Sequence, residues 1–120
     1  MDNKVIGRQG EAIALNYLIK NHKSYRLLVK NFTCKLGEID LIFFDGDEIV
    51  FTEVKTRRNK SYGMPYEAVT ASKMTKIRRI AEYYLMVKNI TGHPIRFDVV
   101  SIILEQSADA FEIEHIIAAF

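Results

Sequence analysis

A predicted β-hairpin in the first half of the chain constrains the fold more than any other feature of the sequence. Two apolar, β-prone runs, residues 38–44 and 48–56, flank Asp45-Gly46-Asp47. An Asp-Gly pair between two such runs is a strong signal for a tight hairpin turn. The sequence therefore predicts two neighbouring antiparallel strands.

Each of these predicted strands carries charged residues two positions apart within apolar sequence. Glu38 and Asp40 lie on the first strand, and Glu53 and Lys55 lie on the second. Side chains alternate between the two faces of a strand, so the members of each pair share one face. Charges on a half-buried strand are costly unless they bind a partner. These four residues are therefore the first candidates for a functional site.

The length of the hairpin loop decides how the two pairs of charges meet. If Asp45-Gly46 is the turn, paired residue numbers sum to 91; if the turn is Gly46-Asp47 or the loop covers 45–48, they sum to 93. A sum of 93 puts Asp40 opposite Glu53, and either sum puts all four charges on one face. Only a three-residue loop separates them. Opposed carboxylates about 5 Å apart need a cation between them, or one must hold a proton.

The charge distribution is uneven although the formal net charge is only +2. Between Lys55 and Arg79 many basic residues are opposed by a single acid, Glu67, whereas residues 98–114 contain acids and no Lys or Arg. Such asymmetry indicates a polyanion partner for one side of the domain. A solvated basic helix and an acidic edge give the same pattern, so charge alone leaves both interpretations open.

Hydrophobic periodicity predicts the remaining elements. It favours helices over residues 5–20 and 67–88, strands over 25–33, 95–105 and 111–118, and a loop over 58–66. The predicted order is α-β-β-β-α-β-β, and a length of 120 residues is typical of one domain, here 1–120.

The sequence also excludes several classes of protein. The single cysteine, Cys34, excludes an internal disulfide and a cysteine-based metal cluster. The N-terminal residues are polar, unlike a signal peptide, and no apolar run reaches the ~18 residues of a membrane span. We therefore expect a cytoplasmic protein without a membrane partner.

The carboxylates of the hairpin suit phosphodiester chemistry. Asp40 and Glu53, with the carbonyl of Val54, are typical ligands for a hard divalent cation such as Mg²⁺ or Mn²⁺. Such an ion polarises a phosphate oxygen and lowers the pKa of a bound water. Lys55 would then orient or deprotonate that water, or offset charge on the phosphate. Alternatively, Glu53 and Lys55 form an ordinary exposed charge pair on the sheet.

The basic residues that follow would hold the flanking backbone phosphates. They are Arg57, Arg58 and Lys60 of the predicted loop, and Lys73, Lys76, Arg78 and Arg79 of the predicted helix.

Five motifs, in this order, resemble the YraN family. They are Gly7-Arg8-x-Gly10-Glu11-x-x-Ala14, Gly37-Glu38-Ile39-Asp40-Leu41-Ile42, Phe51-x-Glu53-Val54-Lys55-x-Arg57, Lys73-x-x-Lys76-Ile77 and Arg96-Phe97-Asp98-Val99-Val100. That family is uncharacterised and is related to archaeal Holliday junction resolvases, within the PD-(D/E)xK restriction-endonuclease-like nucleases. The resemblance covers about residues 7–104, and it departs from the wider superfamily pattern at Ile39, where many members have proline.

The resemblance implies a restriction-endonuclease-like α/β fold with a mixed central sheet flanked by helices. It implies a metal-dependent endonuclease that hydrolyses DNA, including branched DNA, with Mg²⁺ or Mn²⁺ as cofactor. By this resemblance Asp40 and Glu53 match the metal-binding acids, Lys55 the catalytic lysine, and Glu11 an acid added to the metal shell. Glu38 fits the family pattern without an assigned role. Because resolvase-like nucleases usually act as dimers, we also expect a homodimer.

Two other functions stay open at this point. The first is a nucleic-acid-binding protein that keeps the nuclease fold without a cellular catalytic role. The second is a small interaction domain whose charges are structural, with Glu11 an ordinary first-turn acid. Among the remaining polar residues, the sequence favours a surface position for His22 and His115, and an arginine partner for Asp98.

Overall fold

A five-stranded mixed sheet forms the centre of the structure, a computed structural model that describes residues 3–58, 70–104 and 111–120. In chain order, the elements in these ranges are α1 (Asn3–Asn21), β1 (Tyr25–Cys34), β2 (Gly37–Asp45), β3 (Glu48–Arg57), α2 (Ala71–Val87), β4 (Ile95–Leu104) and β5 (Phe111–Ile116). The predicted order α-β-β-β-α-β-β is therefore confirmed for the part of the chain that is described.

The strands lie in the sheet in sequence order, from β1 at one edge to β5 at the other. β3 and β4 are parallel, and the other neighbours are antiparallel. A parallel pair needs a long crossover, and α2 lies within that connection. This arrangement is consistent with the predicted restriction-endonuclease-like α/β core.

The two helices are associated with separate apolar clusters of the sheet. The α1 cluster contains, among others, Ala14, Leu18, Leu41, Phe43, Val50, Val100 and Ile102. The α2 cluster contains, among others, Ile39, Ile42, Ile49, Phe51, Ile77, Ile80, Tyr84 and Phe97. Because successive side chains of β4 enter different clusters, residues 97–102 are buried almost continuously, as expected for a strand covered on both faces.

The start of α2 differs from the sequence prediction. Thr70 has extended backbone angles (φ −77°, ψ 164°), and its hydroxyl accepts a hydrogen bond from the Lys73 amide, so Thr70 is the N-cap. The helix therefore begins at Ala71. Residues 59–69, which include most of the predicted loop and the first predicted helical residues, and residues 105–110 lie outside the described ranges. Within the described ranges, neither helix is long and apolar enough to span a membrane.

Asp98 on β4 is fully buried and has several partners. It accepts hydrogen bonds from Arg96 Nε (3.1 Å) and the Ala118 amide (2.9 Å), and it lies 2.8 Å from His115 Nε2. The predicted arginine partner is therefore confirmed. The predicted surface position of His115 is wrong, since its side chain is only 6% exposed, because β5 pairs with β4 beside the buried carboxylate.

Candidate metal centre

β2 and β3 separate at the position where the predicted site residues lie. Their pairing runs from Asp45–Glu48 to Leu41–Thr52, so paired numbers sum to 93 and the turn is Gly46-Asp47. Past Leu41, β2 continues to pair only with β1, while β3 continues beside β4 to Arg57. Asp40 and Glu53 are thus the first residues on either side of a fork in the sheet.

Main-chain amides and carboxylates form hydrogen bonds across this fork. The Val54 amide donates a hydrogen bond to Asp40 Oδ2 (2.8 Å), and the Asp40 amide donates one to the Glu53 carboxylate. The carboxylates therefore satisfy amide groups that a continuous ladder would have paired. Glu53 Oε1 is buried and has no hydrogen-bond partner in the described part of the chain. A carboxylate oxygen of this kind can accept a hydrogen bond from water or coordinate a cation.

The regular alternation of β2 side chains between the two faces of the sheet is interrupted at Asp40. Ile39 and Ile42 both pack in the α2 cluster although they are three residues apart, whereas Leu41 packs in the α1 cluster. The neighbouring β1 pairs leave Asn31, with φ of 53°, opposite Asp40. Asparagine tolerates this left-handed conformation better than most residues. The irregularity turns Asp40 towards α1.

α1 approaches the sheet closely enough to bring a third carboxylate to the fork. A Cβ atom at Gly10 would lie 1.7 Å from Thr56 Oγ1, so the contact requires glycine. The next residue is Glu11, and carboxylate oxygens of Glu11, Glu38 and Asp40 lie within 4.8 Å of one another. These acids line a cleft of about 550 Å³ together with Gly7, Arg8, Asn31 and Val54.

Alternation along β3 places Glu53 and Lys55 on the opposite side of the sheet. Phe51 packs in the α2 cluster and Val54 against the α1 cluster, so the odd-numbered residues face α2. The prediction that all four hairpin charges share one face is therefore wrong, because the switch at Asp40 moves the β2 acids to the α1 side. The acids still meet at the fork, since no β2–β3 backbone ladder separates them there.

Both central carboxyls have raised pKa values. Burial, followed by the negative charge of Glu53, raises the pKa of Asp40 to about 8, against an opposing hydrogen bond from the Val54 amide. Burial also raises the pKa of Glu53 to about 7, although the Lys55 ammonium opposes the shift. Such a pair retains a proton near neutral pH or is stabilised by a cation that replaces it.

The predicted phosphate-binding residues have varied surroundings. Lys73, Lys76 and Arg79 are exposed on α2, and Lys73 acts electrostatically on Glu53. Arg57 ends β3 and Arg58 follows it, exposed. Lys60 lies outside the described residues.

Arg78 differs from the other basic residues of α2. Its guanidinium lies 4.7 Å from the centre of the Phe97 ring and 5.7 Å from that of Phe120. It therefore contacts aromatic rings of the α2 side.

Sequence reasoning left two contributors to this site without a role. Glu38 is one of the charged residues of the predicted hairpin, but its closeness to Glu11 depends on how α1 packs against the sheet. Asn31 carries the irregularity that turns Asp40. Its only sequence signal is an asparagine inside a strand pattern, which is too weak to predict a left-handed residue.

Comparison with known proteins places the chain among relatives without a described activity. Residues 10–102 match a family described as uncharacterised protein family UPF0102. The chain is 43% identical over 120 residues to a UPF0102 protein of Dictyoglomus thermophilum, with both chains fully covered. It is 48% identical over 119 residues to one of Geotalea uraniireducens, covering 99% of this chain and 91% of the relative. One of Clostridium tetani is 46% identical over 118 residues, with 98% and 95% covered. These matches confirm the resemblance to YraN-like proteins.

Proposed function

This chain belongs to the uncharacterised protein family UPF0102, and on that premise we propose that it is a metal-dependent endonuclease hydrolysing DNA phosphodiester bonds. The observation that carries the proposal is the fork, where half-buried Asp40 and Glu53 are neighbours and Asp40 lies beside Glu11, and where Glu53 Oε1 has no hydrogen-bond partner among the described residues. Structural charges on a sheet would be expected to pair with basic side chains instead of converging on one another.

The donor set fits a hard divalent cation. Asp40, Glu53 and Glu11 would hold Mg²⁺ or Mn²⁺, since these ions prefer carboxylate oxygens and water. When bound, the ion supplies Lewis acidity to a phosphate oxygen and lowers the pKa of water. The raised carboxyl pKa values support the same assignment, because cation binding would release the retained proton.

Lys55 completes the proposed chemistry. It is half-buried two residues beyond Glu53 on the same side of β3, and its charge acts on Glu53. From there its ammonium group would stabilise charge that develops on the phosphate, or orient the attacking water. The exposed basic residues Lys73, Lys76 and Arg79 of α2, together with Arg57 and Arg58, would bind the flanking phosphates.

The proposed substrate includes branched DNA, and the proposed acting form is a homodimer. Exposed apolar side chains near the C-terminus support an interface, since Phe111 and Ile117 are 44% and 55% exposed. Phe120, by contrast, stacks on Phe97 with ring centres 5.1 Å apart, which makes it part of the protomer's own packing.

Cleavage assays with active-site variants test the nuclease proposal. Purified protein is incubated with Mg²⁺ or Mn²⁺ and plasmid, single-stranded or four-way-junction DNA. Because Lys55 would act on the phosphate or the attacking water and Asp40 would hold the cation, Lys55→Ala and Asp40→Asn should each slow cleavage by about 100-fold or more. Lys20→Ala, at an exposed lysine in the last turn of α1, is the control and should cleave like wild type.

The outcome separates the proposed enzyme from its alternative. If wild type cuts nothing that Lys55→Ala does not also cut, the nuclease proposal is wrong. DNA binding without metal-dependent cutting would instead support a binding protein that keeps the nuclease fold.

A further inference from the structure

A second cleft, of about 480 Å³, lies between the β1–β2 turn and α2. Leu36 lines it from the turn, and Ser72, Thr75, Lys76 and Arg79 line it from the helix. The helical residues are spaced i, i+3, i+4 and i+7, so they form one face of α2. This face has a different composition from the apolar face that packs on the sheet.

The cleft combines groups that bind phosphate with one exposed apolar side chain. Lys76 and Arg79 are exposed, and neither forms an ion pair with another residue in the described ranges. The Ser72 hydroxyl lies on the same helix face and can donate a hydrogen bond, whereas the Thr75 hydroxyl already donates its proton to the Ala71 carbonyl (3.1 Å). Leu36 is 43% exposed at the tip of the turn. An anionic ligand with an apolar part matches this combination.

Gly37 connects the cleft to the candidate metal centre. Its φ of +141° is a conformation that favours glycine. A Cβ at Gly37 would lie 3.0 Å from Lys76 Cε and 3.6 Å from Lys76 Nζ, so the lysine side chain lies against the turn backbone. Glu38 is the next residue along β2. The Lys76 ammonium therefore lines the cleft and lies beside Gly37, the first residue of the strand that carries Glu38 and Asp40.

We propose that this cleft binds one unpaired nucleotide of the DNA strand that is cut at the fork. Lys76 and Arg79 hold its phosphate, and Leu36 packs against its base. The inference rests on the proposed nuclease function and deepens it by naming the substrate class.

The size and chemistry of the cleft favour an unpaired nucleotide over a paired one. A volume of about 480 Å³ lies within the usual range for small-molecule sites. A nucleotide stacked and paired inside a duplex does not present its base to such a cleft, whereas an extruded or unpaired one does. Leucine side chains also insert at unstacked base steps in other DNA complexes. The preferred substrate therefore carries unpaired bases beside the bond that is cut, as flapped or single-stranded DNA does.

DNA binding by the full chain without added metal tests the cleft separately from catalysis. Fluorescence anisotropy measures the Kd of a labelled single strand, a matched duplex and a duplex with a single-stranded flap, over a series of salt concentrations. We expect wild type to bind the single-stranded and flapped DNA more tightly than the duplex. Leu36→Ser should reduce that preference about tenfold, near the lower end of what burial of a leucine side chain contributes. It should not change the salt dependence, since no charge is lost.

Removal of a positive charge from the cleft should change the salt dependence of DNA binding, which Leu36→Ser leaves unchanged. Lys76→Gln or Arg79→Gln should lower the magnitude of the slope of log K against log salt by about 0.7 on single strands, the value for one phosphate contact. Lys20→Gln is the charge-matched control, and it should change neither the salt slope nor the preference for unpaired DNA. Leu36→Met, which keeps an apolar side chain, should retain the preference for unpaired bases.

The cleft assignment is overturned if Leu36→Ser keeps the wild-type preference for unpaired DNA while its thermal unfolding is unchanged. It is also overturned if Lys76→Gln and Arg79→Gln leave the salt slope unchanged. Neither result depends on metal. Failure of the cleft therefore leaves a Lys55-dependent cleavage activity intact, and failure of cleavage leaves the measured preference for unpaired bases intact.

Discussion

At the scale of single residues, burial, a neighbouring charge and a hydrogen bond have opposing effects on the pKa of Asp40. Burial and the neighbouring Glu53 charge favour the protonated carboxyl, while the hydrogen bond from the Val54 amide favours the carboxylate. The first two influences prevail, because the pKa rises from an ordinary value of 3.8 to about 8. The folded, metal-free protein therefore holds a proton at Asp40 that the unfolded chain loses at much lower pH.

This difference predicts how stability depends on pH. Between the two pKa values of Asp40 the native state binds more protons than the unfolded state, so the free energy of unfolding decreases as pH rises towards about 8. Asp40→Asn removes the ionisation and keeps an oxygen for the Val54 amide. We expect the variant to be more stable than wild type at pH 8, by roughly 1–3 kcal/mol, and equally stable near pH 4.

Denaturant unfolding at several pH values, with a chelator present, measures this effect. The raised pKa of Glu53 leaves some pH dependence in the variant. Saturating Mg²⁺ should remove most of the decline in wild type, because the cation replaces the proton. A wild-type stability that rises between pH 5 and 8, or an Asp40→Asn variant with the wild-type slope, would contradict the assigned pKa shift.

At the scale of secondary-structure elements, the contact between α1 and β3 places Glu11 at the fork. Gly10→Ala puts a methyl group where Thr56 already lies, so the helix must move away. We expect a loss of about 1–3 kcal/mol in stability, as for other overpacked sites, together with weaker binding of Mn²⁺. Gly7→Ala is the matched control in the same helix, because nothing lies within 4 Å of its Cβ position.

Thermal unfolding and Mn²⁺ titration of the two alanine variants compare these effects. Gly7→Ala should be neutral or stabilised by up to about 1 kcal/mol, the usual gain for Gly→Ala inside a helix. Equal stability and equal Mn²⁺ affinity for Gly10→Ala and wild type would show that close docking of α1 is not required for the site.

The elements also show which parts of the site could be predicted from sequence. Period-two apolar runs and the Asp-Gly signal were sufficient for the hairpin and for a short set of possible registers, one of which is observed. The face of Asp40 could not be predicted, because it depends on a left-handed Asn31 on the neighbouring strand. His115 shows the same limitation, since its burial depends on Asp98, seventeen residues away in the chain.

At the scale of the whole molecule, the buried Asp98 and the half-buried pair Asp40 and Glu53 differ in how their charges are satisfied. Asp98 is surrounded by donors, and although burial acts to raise its pKa, hydrogen bonds from His115, Arg96 and the Ala118 amide outweigh this and lower it. Its charge is thus satisfied by the fold. Among the described residues, each of Asp40 and Glu53 receives one amide hydrogen bond at the fork, and each has a raised pKa. This contrast within one sheet supports the fork, and not the Asp98 cluster, as the position of the proposed cation.

The distribution of elements around the fork supports one mode of action. α1 and β2 bring Glu11, Glu38 and Asp40 to one side of the sheet. β3 brings Glu53 and Lys55 to the other side, where α2 presents its basic residues. A cation at the fork would contact acids from both sides, and a phosphate bound to it would lie near the cations of α2. Proposed catalysis and proposed DNA binding thus share one region of the molecule.

The most direct test of this arrangement is a crystal of the full chain soaked in Mn²⁺, with anomalous diffraction used to locate the ion. We predict an anomalous peak at the fork, with carboxylate oxygens of Asp40 and Glu53 at about 2.0–2.2 Å, the range for small divalent cations, and with Glu11 beside it. The same soak of Asp40→Asn crystals should give no peak there. A wild-type map without a peak at the fork, or with Mn²⁺ bound only to other residues, would contradict the proposed metal centre.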